Sequence, residues 1–151
     1  LGKALGGGMP LGAFIADQSL MQQLTHDPVL GHITTFGGHP VSCAAGKVAM
    51  EVLLAGKYIE QVKQKEAILK RALQHPAIID ARSAGLWMSL QFKTAELNQA
   101  IVHACVKNGL ITDWFVFAPD RLRIAPPLII TAEELKEVCD RIVYSIQSVV
   151  K

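Results

Sequence analysis

LGKALGGGMPLGAFIAD, residues 1–17, holds one lysine in a setting too broken by glycine to be a charged helix face. Lys3 is followed by Gly6, Gly7 and Gly8 and then by Met9-Pro10, with no acidic residue nearby in sequence. Two readings stay open on the residues alone. Lys3 is a solvated charge beside a flexible loop, or it is a desolvated amine, lowered in pKa and able to form an imine with a carbonyl compound.

The rest of the chain bounds the choice. Its 151 residues are half hydrophobic and 19% charged, with a formal net charge of +2, which describes a core-rich globular chain. Lys57, Lys63, Lys65, Lys70 and Arg71 are interleaved with apolar residues, as on a solvated helix face, so no nucleic-acid surface is implied. No apolar run approaches the roughly 20 residues that span a bilayer, and no membrane association is expected. Cys43, Cys105 and Cys139 are an odd count without CxxC spacing, read as buried free thiols in a reducing, cytoplasmic setting. The chain opens without Met or a polar lead-in, and is expected to be a piece of a longer protein.

Residues 11–16, LGAFIA, suit a short buried strand, and 17–24 a short helix. Pro40 can open a helix that reaches residue 54, and its Ser42, Cys43, Ala44, Ala45, Gly46 and Ala49 would admit a close neighbour. From Lys57 an amphipathic helix runs to His75-Pro76. Leu86, Met88, Leu90 and Phe92 alternate with polar residues and Trp87, as in a half-buried strand. A helix at 95–107, strands at 110–117 and 121–125, and a long helix behind the capping box Thr131-Ala132-Glu133-Glu134 complete the expectation. The organisation expected is α/β: a segment at 1–55, then a compact α+β unit at 56–151.

Known phosphate loops and serine-hydrolase elbows are absent from the sequence, and His26, His32 and His39 have no metal-ligand spacing, so no metal is expected. Thr34 and Thr35 before Phe36-Gly37-Gly38 are either phosphate donors or turn hydrogen-bonders. Arg123, in a predicted strand, is either an exposed salt-bridge partner or a bidentate grip on a carboxylate.

KALGGGMPLGAF at 3–14, TTFGGHPVSCAAGKVAMEVL at 34–53 and RIAPPLII at 123–130 come in the order and approximate spacing of class-III, fold-type-I pyridoxal-phosphate aminotransferases. The chain resembles the C-terminal part of that family, which includes acetylornithine, ornithine and 4-aminobutyrate aminotransferases. The resemblance implies that 1–55 is the tail of the large cofactor-binding domain and 56–151 the small α+β domain. It implies pyridoxal 5′-phosphate (PLP) as cofactor, and an amino donor and a 2-oxo acid as substrates. Lys3 then matches the lysine that carries the cofactor and shuttles a proton. Thr35, with Thr34 beside it, matches the residue that binds the cofactor phosphate of the neighbouring subunit in a homodimer. Arg123 matches the arginine that receives a substrate carboxylate. His39 stands where the family usually has Asn, and RSAGLWMSLQF at 82–92 departs from the family pattern, which bears on substrate identity. A racemase, aminomutase or decarboxylase of the same fold, or a non-catalytic module derived from it, are the alternatives. The isolated 151 residues are expected to lack turnover.

Overall fold

A computed structural model describes residues 1–150 and divides the chain into two compact units, one spanning Leu1–Lys57 and one beginning at Tyr58.

In the first unit a 3-10 turn at Lys3–Gly6 packs against α2 (Pro40–Ala55), and a short helix α1 (Gln18–Gln23) lies between them in sequence. The small residues of α2 are what permit the approach. A Cβ on Gly46 would stand 2.9 Å from the Leu5 carbonyl oxygen, and one on Gly7 would stand 2.7 Å from that of Ala45. The strand expected at 11–16 does not form. A strand exists only through hydrogen bonds to a neighbour, and in this unit the segment shares just one reciprocal backbone pair, between Leu1 and Ala13. Phe14 and Ile15 are exposed.

The second unit is one antiparallel sheet with helices on one face. Its elements are α3 (Val62–Ala72), β1 (Asp80–Ala84), β2 (Trp87–Gln91), α4 (Ala95–Lys107), β3 (Asp113–Phe115), β4 (Ala118–Ile124) and α5 (Ala132–Val149). The strand order is β1-β2-β4-β3. Period-two alternation on β2 and β4 sends Met88, Leu90, Leu122 and Ile124 into the core, where they meet Leu69 of α3, Ile101 and Cys105 of α4, and α5. Leu135, Cys139, Ile142 and Ile146 recur at intervals of a helical turn and form the buried stripe of α5. Thr131 and Glu134 form the reciprocal capping box at its start. The amine of Lys65, buried on α3, donates to the Leu128 carbonyl at 2.7 Å and ties the segment after β4 to that helix.

Strand β1, DARSA, is not among the expected elements: it carries no apolar alternation and, as an edge strand, pairs only with β2. Two expected boundaries are corrected. The helix expected from Lys57 begins at Val62, since Lys57 takes a left-handed φ of 52° that a helix cannot contain. The strands expected at 110–117 and 121–125 are Asp113–Phe115 and Ala118–Ile124, with a register irregularity at Trp114 and Phe115. Cys105 and Cys139 are buried free thiols, whereas Cys43 is exposed.

Candidate active site

Lys3 begins the 3-10 turn with φ 56°, a left-handed backbone unusual for a residue with a Cβ and costing on the order of 1–3 kcal/mol. The rest of the turn holds it there. Gly7 and Gly8 take φ of 57° and 95°, and Gly7 closes on the Ala45 carbonyl and the Ala49 methyl of α2. The turn is therefore pinned through backbone, while the Lys3 side chain is exposed and has no carboxylate partner among the described residues. Among the described residues Lys3 is thus solvated, the first of the two readings, and none of them supplies the desolvation that the second requires.

Thr34 and Thr35 lie in the turn that leads into α2. Backbone bonds hold it: the Gly37 N–H donates to the Thr34 carbonyl at 3.0 Å, and the His39 N–H to that of Phe36 at 3.2 Å. A Cβ on Gly37 would come within 2.7 Å of the Thr34 hydroxyl, so a side chain there would displace that hydroxyl. Neither threonine hydroxyl has a hydrogen-bond partner among the described residues. Of the two readings left open by the sequence, side-chain turn bonds are thus not what these hydroxyls make. His39, at the α2 N-cap, also makes no side-chain cap bond.

Arg123 belongs to the second unit. On β4 it faces away from the helices and stands opposite Asp113 of β3 in the ladder. Its Nε donates to Asp113 Oδ1 at 2.5 Å, and its Nη2 donates to Oδ2. The guanidinium carbon lies 5.6 Å from the centre of the Trp87 ring, and Phe115 meets that ring edge-on at 5.9 Å. The Thr112 hydroxyl donates to the Arg123 carbonyl at 2.6 Å.

Two residues along, Arg121 points to the same open face and donates to Asp80, Ser89 and Gln91. That contact, joined by Arg82 and opposed by desolvation, holds the Asp80 carboxyl below the usual carboxylate range. Sequence reading passed over Asp113, Trp87, Arg121 and Asp80. The period-two spacing of Arg121 and Arg123 between Leu122 and Ile124 was the available signal that both arginines share one face. No group of three or more His, Cys, Asp or Glu among the described residues is placed to hold a metal ion, and no helix there is long and apolar enough to cross a membrane.

The first unit offers groups of the kinds PLP needs, an amine and two hydroxyls with no hydrogen-bond partner among the described residues. Comparison with known proteins gives the family. A class-III aminotransferase family model matches residues 1–146. The putrescine aminotransferase of Pectobacterium atrosepticum is 34% identical across the whole chain, which spans 33% of that relative. The ornithine aminotransferase of Toxoplasma gondii, whose crystals grown with oxidized glutathione reveal partial occupancy of PLP at the active site, is 28% identical with a TM-score of 0.85. That likeness covers 98% of this chain and 35% of the other. The Plasmodium yoelii ornithine aminotransferase gives 33% identity and a TM-score of 0.83, over 98% of this chain and 41% of its own. The chain thus spans between a third and about two-fifths of these relatives' lengths. Class-III aminotransferases are PLP-dependent, and this chain belongs to the class-III aminotransferase family.

Proposed function

We propose that these residues form part of a PLP-dependent aminotransferase that moves an amino group from an amino acid or ω-amine to a 2-oxo acid. Donors resembling ornithine, acetylornithine, 4-aminobutyrate or putrescine fit this reading, since the similar proteins are named as ornithine and putrescine aminotransferases. PLP, when bound, supplies the electron sink. Lys3 Nζ holds the cofactor and, once released by the incoming amine, takes the proton from the substrate Cα and returns it on the cofactor side. Thr35, assisted by Thr34, donates its hydroxyl to a phosphate held by the neighbouring subunit of a homodimer. Arg123 receives a substrate carboxylate. In this reading Leu1–Lys57 is the tail of the cofactor-binding domain, the unit from Tyr58 is the small domain, and the enzyme works in the cytoplasm.

The observation that carries the proposal is the Lys3 turn: a lysine on a left-handed backbone, with no carboxylate partner among the described residues, pinned to α2 by glycines that leave no room for a side chain. The test is borohydride reduction of the full-length protein followed by peptide mapping. Cofactor is expected on Lys3, and Lys3→Ala is expected to be colourless and inactive. A coloured, active Lys3→Ala protein would falsify the assignment.

A further inference from the structure

Arg123 does not offer its guanidinium freely. The group is planar with five N–H donors, and it can meet a carboxylate through either of two forked edges: side-on, through Nε and Nη2, or end-on, through Nη1 and Nη2. Asp113 occupies the side-on edge with both oxygens. Nη1 has no hydrogen-bond partner among the described residues, and the second hydrogen of Nη2 points along the same edge as one of its hydrogens.

The surrounding contacts favour this arrangement although both side chains are partly exposed. Asp113 and Arg123 are directly opposite in the β3–β4 ladder, so their Cα separation is set by strand pairing. The guanidinium carbon lies over the Trp87 ring, 5.6 Å from its centre, and Phe115 meets that ring edge-on. The Thr112 hydroxyl holds the Arg123 carbonyl, one residue from Asp113. With the side-on edge taken by both Asp113 oxygens, an incoming carboxylate has the end-on edge to approach, in the plane of the guanidinium.

We propose that Asp113 is the positioning residue of the carboxylate site: it fixes Arg123 side-on so that the Nη1–Nη2 edge is presented, already oriented, to the carboxylate of the 2-oxo acid. This rests on the reading of Arg123 as the carboxylate receptor. Asp113 and the substrate then use different edges of one guanidinium and do not compete. A long side chain that would otherwise be ordered on binding is ordered beforehand.

The test is steady-state kinetics of the full-length holoenzyme with 2-oxoglutarate as acceptor, comparing wild type with Asp113→Asn, Asp113→Glu and Arg123→Lys. Asp113→Asn keeps the shape but sets an amide N–H against an arginine N–H. It is expected to raise KM for 2-oxoglutarate about tenfold while kcat and the KM of a carboxylate-free diamine donor stay near wild type. Asp113→Glu keeps the charge, is expected to give a smaller rise, and carries the test should the Asn protein fail to accumulate. A fall in KM would mean that Asp113 competes with substrate, which overturns the proposal. So would an unchanged KM, or an equal loss in kcat and in both KM values, when Arg123→Lys still impairs 2-oxoglutarate. If Arg123→Lys leaves that KM unchanged, the carboxylate reading of Arg123 is what has failed.

Discussion

Gly7 lies so close to Ala45 of α2 that a Cβ on it would stand 2.7 Å from the Ala45 carbonyl oxygen. With the approach of Leu5 to Gly46, this contact brings the backbone of the Lys3 turn onto a helix whose facing residues are nearly bare. Three glycines of the turn separate the causes. Gly2 has extended φ and open space, Gly8 has φ 95° and open space, and Gly7 has both a φ of 57° and no space. Gly2→Ala is expected to be neutral, Gly8→Ala to cost about 1 kcal/mol, and Gly7→Ala to cost about 2 kcal/mol or more, because overpacking adds to the backbone term. Denaturant unfolding, with hydrogen exchange over residues 3–11, orders them. Equal effects at Gly7 and Gly8 would show that the contact with Ala45 is not tight.

Asp80 should titrate below an ordinary aspartate, chiefly because Arg121 hydrogen-bonds its carboxylate. A carboxyl whose folded pKa lies below its unfolded value of about 3.9 contributes stability that is present above that value and lost as pH falls through the folded pKa. Arg121→Met should move the Asp80 midpoint upward in a carboxyl NMR titration. The stability gap between wild type and variant should be constant near neutrality and shrink in acid. An Asp80 midpoint that does not move would refute the coupling.

The α5 start offers a local check. The Thr131 hydroxyl accepts from the Glu134 N–H at 3.2 Å, and the Glu134 carboxylate accepts from the Thr131 N–H at 2.8 Å. Thr131→Ala removes one half of the box and is expected to cost about 1 kcal/mol. The double variant with Glu134→Ala should cost less than the sum of the single changes, since each single change already removes the direct bond from the Thr131 hydroxyl to the Glu134 carboxylate at 3.0 Å. Strict additivity would mean that the two bonds are independent.

Thiol labelling should separate the cysteines. Cys43 is exposed, while burial pushes the Cys139 thiol up to about 11 and raises that of Cys105 against the opposing hydrogen bond from Ser145. In the native 151-residue chain at neutral pH one thiol is expected to react quickly with a disulfide reagent and two slowly, with all three fast in denaturant. Fast labelling of Cys139 in the folded chain would contradict its burial in the apolar stripe of α5.

Helices were legible in the sequence because their hydrogen bonds close within a few residues and their buried stripes recur every turn. Pro40, the small residues of α2, the Thr131 capping box and the Leu135–Ile146 stripe each carry their own signal. The alternation of Met88 and Leu90 marked β2 for the same reason. Strands without such a pattern depended on their neighbours. DARSA became β1 because β2 lies beside it, and LGAFIA stayed unpaired because its unit supplies no strand to bond it. The candidate site divides in the same way. The residue types Lys3, Thr34, Thr35 and Arg123 could be picked out from motifs along the chain. That the Thr34 and Thr35 hydroxyls are unspent, and that Arg123 is gripped by Asp113 over Trp87, could not. Those contacts follow from strand register and from how closely two backbones approach, which are set only when distant segments pack and compete for the same space.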